Sequence, residues 1–176
     1  MKPIDAMIKA RELWLRNRGH HSYGQGTAVL GLLGQPAANA RVVCLVDKED
    51  RHIFGCNVLL TTTPASTDWT AAERREHSWG MTMSHTHPAF LRDRIGWLIT
   101  IWVADYAARQ PDPPQWVRCR VPHPRLMAHY RDELGWQLVR TVLDRDRRGV
   151  ALMQRRPESI SAVSALIASS MPLEVS

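Results

Sequence analysis

Arg92 and Arg94 stand at the threshold of an apolar stretch in which Ile95, Leu98, Ile99, Trp102 and Tyr106 recur at helical spacing on one stripe. Asp105 and Arg109 fall among the polar positions of the same helix. Upstream, the large side chains Trp79, Met81, Met83 and His85 alternate with the small Gly80, Thr82, Ser84 and Thr86, the period of a strand with two unlike faces. Pro88 ends that strand, because proline has no N–H to give to a ladder. Residues 90–96 must therefore turn the chain into a helix N-terminus. Such an end carries unpaired N–H groups and about half a positive charge, which makes it a seat for a phosphate. The two arginines add mobile cations there, although a plain strand-to-helix connection with two solvated arginines has the same spacing.

The elements that must hold this unit follow from the rest of the chain. Its 176 residues, 44% of them hydrophobic, suffice for one domain with a single core. No apolar run is long enough to span a bilayer, and residues 1–20 carry too many charges for a signal peptide, so the expectation is a soluble, cytoplasmic protein with no membrane partner. Cys44, Cys56 and Cys119 stand singly in apolar surroundings, which predicts buried reduced thiols and neither a disulfide framework nor a metal site. The net charge of +6 comes from scattered arginines. Their tightest cluster, Arg145, Arg147 and Arg148, alternates with Asp144 and Asp146 and reads as a solvated turn.

In chain order, Asp5 is placed to cap a helix from Ala6 to about Arg18, with Gly19 as its stop. A glycine-rich segment follows, with a weak helix from Thr27 to Leu33. Arg41 to Val46 and Ile53 to Leu60 read as a hairpin around a charged turn. Thr67 or Asp68 is placed to cap a short helix containing Glu73. After the central helix, Trp116 to Val121 alternates as a strand. A helix then runs from about residue 124 to Gly135, and Trp136 to Leu143 with Val150 to Gln154 forms a closing hairpin. Ile160, Val163, Leu166, Ile167 and Met171 recur at helical spacing in a last segment, placed to pack on the domain or on a second subunit in a homodimer.

The stretch Thr86-His87-Pro88-Ala89-Phe90-Leu91-Arg92-Asp93-Arg94-Ile95-Gly96 resembles, without a gap, the acyl-CoA loop of the GCN5-related N-acetyltransferases, whose pattern runs Val-x-Pro-x-x-(Arg/Gln)-x-x-Gly-x-(Gly/Ala). Pro88, Ile95 and Gly96 fit it. Leu91 stands where the family has Arg or Gln, Arg92 where it often has Gly, and Arg94 where it asks for Gly. Met127-Ala128-His129-Tyr130-Arg131-Asp132-Glu133-Leu134-Gly135-Trp136 resembles the family's closing helix with its tyrosine and Gly-aromatic end.

The resemblance covers about residues 6–156. It implies an α/β fold, a mostly antiparallel central sheet splayed at the acyl-CoA strand with helices on both faces, in a domain of residues 1–156 followed by an extension, 157–176. It further implies an acetyl-CoA-dependent N-acetyltransferase in which a primary amine, here of a small molecule, attacks the thioester directly. Cofactor contacts fall to Ser84, Thr86, Leu91, Arg92, Asp93, Arg94, Ile95, Gly96, Trp97 and His123. His21, Tyr23 and Trp69 become substrate contacts, with Glu76 as first candidate base and His85 or His77 next. Tyr130 is the candidate acid, provided a bulged turn restores its aim, since it stands five residues before Gly135 and the family's tyrosine stands four; the alternative is a core tyrosine and no acid. Two rivals remain: an acetyltransferase directed at aminoacyl-tRNA, for which no basic stripe interleaved with aromatics speaks, and a non-catalytic binding module, suggested by the altered loop.

Overall fold

The computed structural model describes residues 3–19, 25–35, 37–62 and 68–167. Helices α1 (Pro3–Arg16) and α2 (Gln25–Gly34) lead into the hairpin β1 (Ala40–Val46) and β2 (Ile53–Leu60). A short α3 (Ala71–Arg75) precedes β3 (Ser78–Thr86), then come α4 (Ile95–Ala108), β4 (Trp116–Val121), α5 (Pro124–Leu134), β5 (Gln137–Leu143), β6 (Gly149–Arg155) and α6 (Ser161–Leu166). The six strands lie in the order β1-β2-β3-β4-β6-β5, antiparallel throughout except for the parallel pair β3–β4. Helices cover both faces. Ile4, Met7, Ile8 and Val29 of α1 and α2 pack on Ile53, Cys56 and Val58 of β2, while α4 and α5 pack on the opposite face with Trp79, Met81, Val117, Cys119 and Met153. No helix among the described residues is long and apolar enough to cross a membrane.

The regular alternation read from Trp79 to Thr86 is broken in the folded strand. Gly55 pairs with Thr86 and Cys56 with His85, but the next pair is Val58 with Thr82, so Met83 and Ser84 together oppose Asn57. Met83 takes up the extra residue with φ 51°, in the left-handed region. The four large side chains therefore do not share a face. Trp79 and Met81 lie in the α4 core, whereas Met83 packs against the α1–α2 core.

Two other expectations are corrected by tertiary contacts. The cap of α3 is neither Thr67, which lies outside the described residues, nor Asp68. It is Thr70, whose Oγ1 accepts from the Glu73 N–H while the Glu73 carboxylate accepts from the Thr70 N–H. Asp105, placed at a polar position by spacing, is fully buried: it accepts the Ile160 N–H at 2.8 Å and the Arg109 Nε–H at 2.9 Å. This fastens the segment after β6 to α4, where Val163 of α6 completes the core. The last helix is shorter than its periodicity predicts, and residues 168–176, including Met171, lie outside the described residues.

The segment before β3 is stapled to the other half of the sheet. Trp69 is buried, with the guanidinium carbons of Arg118 and Arg140 at 4.8 Å and 5.9 Å from its ring. Arg118, wholly buried on β4, donates to Ser78 Oγ at 3.2 Å and to the Glu76 carboxylate. Arg140 clasps both oxygens of Glu73 at 2.7 Å and 2.6 Å. Truncation of Trp69 to alanine should cost about 3–5 kcal/mol, the range for a buried aromatic. Urea unfolding of Trp69→Ala checks this; a loss below about 1 kcal/mol would mean that the staple does not hold the segment.

Candidate active site

Strands β3 and β4 are paired over four residues only, from Ser78 with Trp116 to Met81 with Cys119. Past that point β4 follows β6, with Val121 opposite Ala151, and β3 follows β2 through the bulge. The two central strands thus part at residues 82–86 of β3. One edge of β3 is left there with backbone N–H and C=O groups that β4 does not take. Ser84 is exposed at this parting, and behind it Asn57, fully buried, donates from Nδ2 to Ser84 Oγ at 2.6 Å.

The N-terminus of α4 opens beside the end of β3: a Cβ placed on Gly96 would stand 3.8 Å from Thr86 Oγ1. The first helical bond runs from the Leu98 N–H to the Arg94 carbonyl, so the helix itself makes no use of the N–H groups of Ile95, Gly96 and Trp97. Arg94 caps the helix with φ 54° and ψ 29°, left-handed, and its side chain makes no capping bond. The guanidinium instead lies 3.6 Å from the Glu133 carboxylate of α5. Leu91, Arg92 and Asp93 are exposed beside it. The loop is tied to the start of β2: the His87 N–H donates to the Phe54 carbonyl at 2.8 Å, and the Phe90 ring meets Phe54 at 4.8 Å and His52 at 5.2 Å.

On the other face of the parting, Arg11 of α1 donates to the Thr86 carbonyl at 3.0 Å. His85, buried beside it, has its pKa held down to about 4 by burial and then by the Arg11 charge, against a smaller opposing effect of a backbone hydrogen bond with Gln25. Its ring is therefore neutral at physiological pH. Among the described residues its Nε2 has no hydrogen-bond partner.

Of the residues singled out by sequence, the structure brings Ser84, His85, Thr86 and residues 91–96 together around the parting. His123, exposed, follows the end of β4 as the residue before α5. Five others lie elsewhere. Glu76 precedes the paired end of β3, away from the parting, where its carboxylate meets Arg118; His77, beside it, faces Asp112 at 3.7 Å. Trp69 is a staple in the core rather than a cleft wall, since two guanidinium groups occupy its surroundings. The Trp97 side chain faces a cavity of about 380 Å³ together with Ile101, Leu134, Ile160, Val163 and Leu166, so only its backbone N–H belongs to the helix end. Tyr130 is a core residue, as the alternative reading had it: α5 runs as an uninterrupted helix, and the hydroxyl stands 3.2 Å from Thr100 Oγ1, which itself donates to the Gly96 carbonyl. Burial pushes the Tyr130 pKa up and keeps the group neutral. His21 and Tyr23 lie outside the described residues.

No family model matches the sequence, and no curated protein does. Solved structures do. A putative GNAT-family acetyltransferase from Desulfovibrio desulfuricans superposes with a TM-score of 0.61 at 11% identity, covering 89% of this chain and 91% of that one. An aminoglycoside 6'-N-acetyltransferase complexed with coenzyme A gives 0.58 at 9%, covering 88% and 91%. A chimera of the Vibrio cholerae spermidine N-acetyltransferase gives 0.55 at 13%, covering 80% of each chain. The chain has the fold of the GCN5-related N-acetyltransferases.

That acetyltransferase fold gives the loop geometry a meaning. At the position where the resembled pattern has glycine, this chain has a left-handed backbone and bears Arg94, at a cost of about 1 kcal/mol. Two residues of the site escaped the sequence: Asn57 and Arg11. Both were legible only as a polar residue within an apolar strand and an arginine on an amphipathic helix.

The state of His85 yields a pH prediction. An unfolded histidine titrates near 6.5 and the folded one near 4, so between these values the unfolded state binds the extra proton. Stability linked to His85 is complete above about pH 6.5 and is lost as pH falls to about 4. Melting temperature against pH should therefore drop less steeply over this window in His85→Gln than in the unaltered protein, and parallel curves would contradict the assignment.

Proposed function

We propose that the chain is an acetyl-CoA-dependent N-acetyltransferase that acylates a primary amine of a small molecule. The observation that carries this reading is the parting of β3 from β4 directly beside an open α4 N-terminus. The residues present suit coenzyme A. The left-handed Arg94 leaves the helix-end N–H groups clear for the pyrophosphate, and Arg92 and Arg94 are exposed cations within the same turn. The edge of β3 at residues 82–86, apart from the Thr86 carbonyl that Arg11 takes, offers N–H and C=O groups to the pantetheine amides.

Bound acetyl-CoA supplies an activated thioester carbonyl. The chain's own residues orient it and exclude competing geometries. A C–N bond forms between the acceptor nitrogen and the acyl carbon, the C–S bond breaks, the nitrogen gives up a proton and the sulfur leaves as a thiolate that is protonated from solvent. With Tyr130 committed to Thr100, no side-chain acid is invoked. The acceptor's proton goes to solvent, because the His85 Nε2, although unpartnered among the described residues, is buried and its ring is a weak base.

The buried Tyr130 and the arginine-substituted loop also favour a second reading, a non-catalytic module of the same fold. Calorimetric titration with acetyl-CoA, followed by an amine library screened for free thiol, separates the two. The enzyme reading predicts binding in the micromolar range and thiol release with at least one amine. Arg94→Ala should weaken acetyl-CoA binding about tenfold, as expected for a charge-assisted hydrogen bond of about 1.5 kcal/mol. No binding by the unaltered protein would remove the enzyme reading, and an unchanged affinity in Arg94→Ala would remove that arginine from the site.

A further inference from the structure

Asn57 is a fully buried amide in the middle of β2, an otherwise apolar strand. It lies on the α4 side of the sheet: a Cβ on Gly55, two residues before it, would press on Ile95 and Ile99, and Leu59, two residues after it, joins the α4 core. It stands opposite the bulge, at the one place where β3 has two residues for one of β2. Its Nδ2 reaches Ser84 Oγ at 2.6 Å, while its Oδ1, buried, has no partner among the described residues. Leaving a buried amide half satisfied costs about 1–3 kcal/mol, which a strand position filled by valine or leucine would avoid.

The hydrogen bond has a direction that matters. Because Asn57 donates to Ser84 Oγ, the Ser84 hydroxyl proton is not spent on Asn57, and among the described residues it has no acceptor. Ser84 is exposed at the parting, so this proton is presented to whatever lies between β3 and β4.

Resting on the acyl-donor reading above, we infer that Asn57 is a positioning residue that holds the Ser84 hydroxyl as a donor to the acyl carbonyl oxygen of the bound thioester. As the acceptor nitrogen bonds to the carbonyl carbon, negative charge grows on that oxygen, and the Ser84 hydroxyl is in place before the charge appears. The bulge at Met83 brings Ser84 to the α4 side, where Asn57 can reach it; a regular strand would turn it away. The unpaired Asn57 Oδ1 on the same wall fits a site whose hydrogen bonding is completed by a ligand.

The test compares two ligands that differ only in the acyl group. Calorimetric dissociation constants for acetyl-CoA and for CoA are measured on the unaltered protein and on Ser84→Ala, Ser84→Thr and Asn57→Ala, each checked for folding by thermal melting. The inference predicts that the unaltered protein binds acetyl-CoA about fivefold more tightly than CoA, the worth of one hydrogen bond. Ser84→Ala and Asn57→Ala should each bring that ratio to about one while CoA affinity stays within about twofold, Ser84→Thr should keep it, and the double Ala variant should lose no more than either single. Should Asn57→Ala fail to fold, Asn57→Asp, of the same shape but drawing the serine proton to itself, should also abolish the preference. A preference that survives in Ser84→Ala, or affinities for both ligands that fall together, would overturn the inference while leaving the acyl-donor reading standing. Failure of the unaltered protein to bind either ligand would overturn the acyl-donor reading itself and this inference with it.

Discussion

A strand hydrogen-bonded along both edges has no room for a ligand, so everything at this site depends on one residue taking the wrong backbone conformation. Met83, in the left-handed region, adds a residue to β3 that β2 does not match. From that point β3 turns with β2 while β4 goes with β6, and the parallel pair between them ends after four residues. A left-handed methionine is uphill by about 1 kcal/mol or more, and it persists because its neighbours leave no alternative. Its side chain packs in the α1–α2 core, and both sides of the register are pinned by paired residues.

The two halves of the sheet, parted at one end, are joined firmly at the other. Arg118 sits at the register position of Gly80, within the paired part of β3 and β4, and ties β4 to Ser78, Glu76 and the segment that carries Trp69. A second left-handed residue, Arg94, opens the α4 N-terminus next to the end of β3. The site is thus framed by a clamp and two of the four left-handed non-glycine residues of the described structure, the other two, Arg51 and Arg147, lying in hairpin turns.

The β1–β2 hairpin, the central helix and the closing helix with its hairpin were legible to within a residue or two, because β-branched runs, helical spacing and the Gly135 stop are local signals. What was not legible depended on partners far along the chain. Nothing in Trp79 to Thr86 announces a bulge, since Met83 is no glycine and the alternation is perfect on paper. Asp105 reads as a surface position until Ile160, fifty-five residues on, donates its N–H to it. Trp69 and Glu76 drew interest as cleft residues, and their true surroundings are arginines of β4 and β5. Tyr130, five residues before Gly135 on a regular helix, lies buried with its hydroxyl at Thr100, a neighbour thirty residues away that its motif could not announce.

The proposed binding surface for coenzyme A joins the opened edge of β3 to the N-terminus of α4. Amide hydrogen exchange with and without CoA tests it directly. Exchange should slow at residues 82–86 of β3 and at Ile95, Gly96 and Trp97, with little change in the paired stretch from Ser78 to Met81. Protection confined to other parts of the chain, with these amides exchanging as before, would contradict it.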